Sequence, residues 1–179
     1  KFRLRRYGDH PLIFLEQKRK SKGKVAKRRV EIQATDLDRL RETPTDLDWA
    51  GHWFQSRLQR RNLEPMCQIS YLRQAYFGQN VEGPLRLTLD RAVHGNGASG
   101  WTIGAIDGAK PLVTSEVLLE LKYRKNLPAL FKTLMQDFGL LPGSVSKYRL
   151  AVETLGLRPA RVALILPSVA SEEPGAAGN

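Results

Sequence analysis

Basic side chains recur at every second position in several short stretches of this chain. Arg3 and Arg5 alternate with Phe2 and Leu4 near the start, and the same pattern recurs around Arg86. Because residues two apart share one face of a β-strand, each stretch predicts a strand with one apolar and one cationic face. The forked donors of arginine match phosphate oxygens, so arginines repeated on one face indicate phosphate binding.

The positive charge is concentrated at the start of the chain. Residues 1–30 contain twelve lysines and arginines but only two acids, Asp9 and Glu16, and so carry +10 of the +11 net charge. This imbalance indicates a polyanionic partner, such as nucleic acid, a phosphate chain or an anionic membrane surface. The single cysteine, Cys67, excludes an internal disulfide framework and favours a reducing compartment, so we expect a cytoplasmic protein. No apolar run reaches membrane-spanning length.

The elements that must position these side chains follow from the same patterns. Seven strands are predicted, at residues 2–7, 12–19, 25–32, 66–77, 84–93, 101–106 and 115–123. Four helices are predicted, at residues 35–41, 46–61 (capped by Thr45), 126–138 (capped by Asn126 and stopped by Gly139) and 144–155 (capped by Ser144). The short connections favour antiparallel hairpins, and strands and helices do not alternate regularly, so the predicted class is α+β.

The cationic faces have two interpretations. For a single strand, a charged face is most often an ordinary solvated surface. Repetition over many strands, with arginine prominent, argues for a basic platform or for the lining of a barrel. Like charges inside a barrel are costly unless a ligand neutralises them, as a polyphosphate would. Carboxylates interspersed among the cations suggest a divalent metal that bridges to phosphate oxygens.

Seven short motifs then point to a family. They are RLRRYGD (3–9), FLEQK (14–18), KRRV (27–30), YLRQAY (71–76), LRLTLD (85–90), LLELKY (118–123) and SKY (146–148). In this order they resemble the VTC domain, the polyphosphate polymerase domain of the vacuolar transporter chaperone and a member of the triphosphate tunnel metalloenzymes. Each motif alone is weak, whereas seven in the same order are specific.

The resemblance implies an antiparallel β-barrel tunnel with helices packed outside. Such a tunnel would bind ATP or triphosphate together with polyphosphate, and would transfer the ATP γ-phosphate to the growing chain with Mn²⁺ or Mg²⁺. The matching positions imply catalytic phosphate contacts by Arg3, Arg5, Lys18, Lys27, Arg73 and Arg86. Further phosphate contacts are implied for Arg29, Tyr71, Lys122, Ser146 and Lys147. Glu120 would hold the metal, assisted by Glu16.

The resemblance also sets the expected domain organisation. Residues 1–160 are predicted to form the tunnel domain, and residues 161–179 a tail with a disordered end. The family's opening strands would precede Lys1, so we expect an N-terminally incomplete domain. Ser144 stands where some members carry a further basic residue. Membrane-protein partners are compatible with the family.

Three other functions remain open from the sequence. A triphosphatase of the same fold would release phosphate by using water as the acceptor. A polyphosphate sensor would bind without turnover. A nucleic-acid module would use the basic N-terminal segment, but the tyrosines are not interleaved as stacking positions, so no specific nucleic-acid partner is expected.

Overall fold

The computed structural model describes residues 1–21, 24–104 and 107–157, so the predicted tail lies outside the described residues. The strands are β1 (Phe2–Arg5), β2 (Leu12–Ser21), β3 (Lys24–Gln33), β4 (Cys67–Asn80), β5 (Gly83–Gly97), β6 (Lys110–Pro111) and β7 (Leu118–Lys122). The helices are a 3₁₀ helix (Ala34–Arg41), α1 (His52–Gln59), α2 (Ala129–Asp137) and α3 (Lys147–Thr154). All strand pairs are antiparallel, which confirms the predicted class.

Sheet A consists of β1, β2 and β3 in that order. Its register places Arg3, Glu16 and Arg29 side by side across the three strands. The opposite face is apolar and packs under the 3₁₀ helix and α1. Its buried core contains Ile13, Leu15, Ile32, Leu40, Phe54 and Leu58. Because each such side chain contributes about 1.5–3 kcal/mol when fully buried, this core fixes which face of sheet A carries the charge.

Sheet B is built around β5, which pairs with β4 on one edge and with β6 and β7 on the other. Three rows of side chains cross its charged face. They are Phe77–Arg86–Lys122, Ala75–Thr88–Glu120 and Arg73–Asp90–Leu118. A small second core, with Val93, Leu112 and Ala151 buried, joins this sheet to α3.

A β-bulge in β5 interrupts the alternation of side chains between the two faces of the strand. Ser70 pairs with His94 and Leu72 with Arg91, so β5 has one extra residue in this interval. Ala92 lies here with a φ of +48°. The bulge brings Val93 into the core below α3, on the side that Asp90 also faces, whereas strict alternation would place positions 90 and 93 on opposite faces.

The helices predicted at 46–61 and 126–138 begin later than predicted. The predicted helix at 46–61 begins only at His52, because Asp46 Oδ1 accepts the backbone N–H groups of Asp48 (3.1 Å) and Trp49 (3.2 Å) and holds a turn. Gly51 then permits a close approach of the Trp49 ring, 2.5 Å from where a Cβ would lie. At 126–138 the helix begins at Ala129, because Asn126 instead hydrogen-bonds to Glu82.

The strand predicted at 101–106 is also wrong over the residues that the structure describes. Residues 101–104 are not in a strand, and 105–106 lie outside the described residues. Trp101 and Ile103 instead pack against the core of sheet A. Gly139 has a φ of +58° just after α2, as its predicted role as a helix stop requires.

Strand pairing among the described residues gives two separate sheets, so the closed barrel stays a prediction. None of the helices within the described residues has the length and apolar character needed to cross a membrane.

Candidate functional site

The first charged cluster surrounds Glu16 at the centre of sheet A. Its side chain is only 3% exposed, and its Oε2 accepts a hydrogen bond from Arg3 Nε at 2.7 Å. Lys27 Nζ lies 2.9 Å from Oε1, and Arg29 Nε lies 3.6 Å from the same oxygen. Three cations therefore converge on one carboxylate, and the cluster keeps a surplus of positive charge on its exposed side.

Glu16 remains ionised in spite of its burial. Burial acts to raise the pKa of its carboxyl group, but hydrogen bonds from Lys27 and Arg3 outweigh burial, and the pKa of Glu16 is lowered. The negative charge at this position fixes the three cations in place without neutralising them all.

Arg5 and Lys18 extend the charged face of sheet A on either side of Glu16. Arg5 Nη1 donates a hydrogen bond to the Tyr7 hydroxyl at 3.0 Å, and Lys18 is the register partner of Lys27. Neither cation has a carboxylate within ion-pairing distance in the part of the chain that the structure describes. Their charge is therefore available to an anionic ligand.

The second charged cluster surrounds Asp90 on sheet B. Asp90 is 1% exposed and accepts a bidentate pair of hydrogen bonds from Arg73, each 2.6 Å long. Lys147 of α3 completes the cluster, with its Nζ 2.5 Å from Asp90 Oδ2. The Tyr71 ring lies against both cations, 5.1 Å from Arg73 Cζ and 4.9 Å from Lys147 Nζ. The cluster thus joins a strand pair to a helix.

The pKa values follow from these contacts. Burial acts to raise the pKa of Asp90, but the hydrogen bonds from Arg73 and Lys147 outweigh burial, and the pKa of Asp90 is lowered. The hydrogen bond to Asp90 raises the pKa of Arg73. The ion pair between Asp90 and Arg73 therefore stabilises the charged form of both groups.

Ser146 determines where α3 begins and so where Lys147 lies. Its Oγ accepts the backbone N–H of Arg149 at 3.4 Å, which makes Ser146 the N-cap. Lys147 is the first residue of the helix and points to Asp90. The predicted cap, Ser144, is two residues too early, because the Ser146 side chain makes the capping hydrogen bond.

Arg86 and Lys122 form the outermost row of the charged face on sheet B. With Phe77, Tyr123 and Arg124 they line an open cleft of about 350 Å³. Arg86 Cζ lies 5.4 Å from the centre of the Phe77 ring. Arg86 Nε is buried and has no hydrogen-bond partner among the described residues. The guanidinium thus has donor capacity that an anion entering the cleft could use.

Glu120 lies between the Arg86 row and the Asp90 cluster, as the register partner of Thr88. Its side chain is 49% exposed, and Lys122 Nζ lies 3.2 Å from its Oε1. Glu120 and Glu16 are on different sheets, so the two predicted metal ligands belong to different clusters.

Two contacts connect the start of β1 with α3 and sheet B. Lys1 Nζ, at the start of sheet A, lies 4.9 Å from the centre of the Tyr148 ring on α3. Arg5 of sheet A lies within electrostatic range of the Tyr71 side chain of sheet B. These two contacts bring the start of β1 next to α3 and to Tyr71.

Sequence reasoning missed the roles of Asp90 and Tyr7. Asp90 follows Arg86 and Thr88 in the alternation of β5, so its face could be predicted. A single acid among cations on a predicted strand face is the signal that identifies such a residue. Its partner Lys147 comes from a distant helix, which the pattern of one strand cannot indicate.

Comparison with known families now adds to this geometry. The family model of the VTC domain matches residues 1–156. The chain belongs to the VTC domain family. This family is associated with polyphosphate polymerase activity. No curated protein and no solved structure matches the chain.

This VTC domain offers one arrangement that fits a divalent metal ion. No group of three or more histidine, cysteine or acidic side chains that could enclose a metal occurs in the described ranges. Both oxygens of Glu16 and of Asp90 are already occupied by cations. Glu120 is half-exposed, and its ion pair with Lys122 uses Oε1, so Oε2 has no partner in the part of the chain that the structure describes. Since Mg²⁺ is often held by one or two carboxylates together with substrate phosphates, Glu120 fits a metal brought in with the ligand.

Proposed function

We propose that this VTC domain binds ATP and polyphosphate on the charged faces of sheets A and B and transfers the ATP γ-phosphate to the growing chain. The observation that carries the proposal is the pair of buried carboxylates, Glu16 and Asp90. Each is surrounded by more cations than it neutralises. Fixed cations with surplus charge form a surface that is organised for phosphate before any ligand arrives.

Phosphoryl transfer depends mainly on positioning and charge stabilisation. The Asp90 cluster holds Arg73 as a planar donor at one end of sheet B. Arg86 provides a second guanidinium four residues before Asp90 along β5, at roughly 13 Å by strand geometry. A phosphate chain laid along β5 would contact both, and its negative charge would be balanced while donor and acceptor phosphates are held in line.

Sheet A would supply a second set of contacts for the same chain. Arg3, Arg5, Lys18 and Lys27 share one face of sheet A. We propose that the two faces line one tunnel. The approach of Lys1 to α3 and of Arg5 to Tyr71 supports this arrangement.

Glu120 would hold Mn²⁺ or Mg²⁺ together with phosphate oxygens, and the metal would supply further charge neutralisation at the transferred group. Lys122 would balance Glu120 when no metal is bound, since the two side chains already form an ion pair.

Polymerase activity is tested directly with γ-labelled ATP and Mn²⁺, with products separated by chain length. A ladder of labelled chains is the expected result. If labelled orthophosphate is the only product, the activity is that of a triphosphatase and not of a polymerase. Absence of turnover with retained triphosphate binding would leave a binding module.

Arg86→Ala tests the binding surface without breaking an ion pair seen in the described residues. Triphosphate affinity should fall about tenfold or more, since a hydrogen bond to a charged group contributes about 1.5–3 kcal/mol. Arg91→Ala is the matched control, because Arg91 lies on the same strand but on the opposite face, where it donates to Gln74. Equal losses in the two variants would assign the binding to net charge and not to the charged face.

A further inference from the structure

A second concentration of positive charge lies on the other side of sheet A. Arg57, Arg60 and Arg61 extend from the end of α1, and Arg19 and Arg28 project from β2 and β3. We call these five residues the arginine cluster. In the strands, Arg19 follows Lys18, and Arg28 lies between Lys27 and Arg29. The cluster therefore occupies the face of sheet A opposite to the charged face around Glu16.

Aromatic rings hold three of these arginines in place. The guanidinium groups of Arg28 and Arg57 share the Trp53 ring, with Cζ atoms 4.2 Å and 5.3 Å from its centre. Arg61 Cζ lies 5.9 Å from the centre of the Phe2 ring. Stacked guanidinium groups keep their edge donors free, so these side chains are preorganised for an anion.

The cluster has no compensating acid. Among the described residues, none of its five arginines has a carboxylate within ion-pairing distance. Arg57 Nη1 is buried and makes no hydrogen bond in the described part of the chain. Desolvation, followed by repulsion from the other four arginines, lowers the pKa of Arg57. The protein therefore holds like charges together at a cost that a bound anion would relieve.

The helix dipole explains only part of this arrangement. Cations are favourable at the last turn of a helix, which accounts for Arg57 and its two neighbours after α1. It does not account for Arg28, which comes from β3 and stacks on the same ring as Arg57. Arginines from a strand and from a helix therefore converge on one place where the described residues supply no carboxylate. This is the arrangement expected of an anion-binding site.

We propose that the arginine cluster binds a ligand with at least two adjacent phosphate groups, at a site separate from the charged faces of the two sheets. Two features define this ligand class. All five cations are arginines, whose guanidinium groups can bind phosphate oxygens bidentately. Two of them, Arg28 and Arg57, stack on the same Trp53 ring. Two sources present such groups: a soluble oligophosphate chain and a polyphosphorylated lipid head group.

The test measures the affinity of the full chain for inorganic triphosphate by titration calorimetry. Arg86→Ala first weakens the site on sheet B. In this background, adding Arg57→Gln and Arg60→Gln should weaken the remaining binding about tenfold or more. The control adds Arg91→Gln and Lys132→Gln instead, which removes the same charge from exposed positions elsewhere and should leave the remaining affinity unchanged.

Vesicles separate the two phosphate sources. Phosphatidylcholine vesicles with and without phosphatidylinositol bisphosphate are sedimented with the same variants. Binding to either triphosphate or bisphosphate vesicles that depends on Arg57 and Arg60 supports the site and identifies its source. Equal losses in the cluster and control variants, with triphosphate and with bisphosphate vesicles, would overturn it.

The outcome is independent of the proposed function. Loss of triphosphate binding on Arg57→Gln with Arg60→Gln, but not on Arg86→Ala, would support the arginine cluster and remove the role proposed for Arg86. Loss of triphosphate binding only on Arg86→Ala, together with vesicle binding that does not depend on Arg57 and Arg60, would support the charged face of sheet B and overturn the second site.

Discussion

Asp90 holds two of the proposed phosphate-binding cations through a single carboxylate. It is 1% exposed, and its partners Arg73 and Lys147 are 19% and 23% exposed. Removing one member of such a buried group leaves the other charges without compensation, which costs about 3–5 kcal/mol. A bound phosphate chain could then replace the missing negative charge.

Asp90→Asn should therefore lower the free energy of unfolding by about 3 kcal/mol in the absence of ligand. Saturating triphosphate should stabilise this variant more than it stabilises the wild type, because the ligand supplies the lost countercharge. Urea unfolding with and without triphosphate measures both effects. Asp137→Asn, at an exposed position, is the control. If triphosphate stabilises Asp90→Asn and the wild type equally, Asp90 does not contribute to the binding surface.

Prediction from the sequence worked best for side chains whose position depends on one strand. The alternation in β5 correctly placed Arg86 and Asp90 on one face, and the alternation in β3 correctly placed Lys27 with Arg29. It could not indicate that three strands meet at Glu16, because cross-strand register depends on how the hairpins close.

Among the elements, α3 has the clearest link between sequence and site. Ser146 ends the preceding loop and caps the helix, and the next residue, Lys147, reaches Asp90. The cap hydrogen bond and a phosphate contact are separate roles for the same hydroxyl group, and two substitutions distinguish them.

Ser146→Ala should reduce stability by about 1 kcal/mol through loss of the cap, whereas Ser146→Asp should retain it. Triphosphate affinity should fall further in Ser146→Asp than in Ser146→Ala, because the new carboxylate repels phosphate. Urea unfolding and calorimetry measure the two quantities. If Ser146→Asp binds triphosphate as tightly as the wild type, Ser146 acts only as a cap and lies away from the ligand.

The bulge in β5 is one of the features that the sequence patterns failed to predict. Ala92 gives no signal for it, because alanine is not a residue that favours a positive φ. The predicted start of α1 was wrong for a local reason. The Asp46 side chain hydrogen-bonds to nearby backbone N–H groups in competition with the helix, and helix propensity alone does not decide which arrangement forms.

Ala92→Gly should raise the free energy of unfolding by about 0.5–1 kcal/mol, since glycine adopts a φ of +48° without the steric cost that alanine bears. Ala75→Gly, in the extended part of β4, should lower it by a similar amount. The measurement is the urea midpoint of both variants. A loss of stability in Ala92→Gly would show that the alanine methyl group contributes packing that outweighs the backbone strain.

At the scale of the whole molecule, the sequence predicted two-faced strands correctly but left their assembly open. The apolar face of sheet A is fixed by the helices that cover it, and Lys1 at the start of sheet A lies against the Tyr148 ring of α3. Closure of these sheets into a tunnel depends on strand contacts between them, which no local pattern specifies.

The two buried carboxylates give the whole molecule an acid-sensitive stability. The pKa values of Glu16 and Asp90 are lowered from their ordinary values of 4.5 and 3.8. A lowered pKa stabilises the folded state above the ordinary value, and this contribution is lost as the pH falls through the folded-state pKa. The free energy of unfolding should therefore decrease steadily from the ordinary carboxyl range downward, as each cluster loses the charge that holds its cations.

Removing both titrating groups should flatten this dependence. The variant with Glu16→Gln and Asp90→Asn should be less stable than wild type at pH 7 but should lose less further stability on acidification. Urea unfolding between pH 7 and the acid limit of folding compares the two slopes, and Asp137→Asn should retain the slope of the wild type. Parallel curves for the double variant and the wild type would assign acid sensitivity to carboxyl groups outside the two clusters. The cations would then be held mainly by strand register and by the packing of α3.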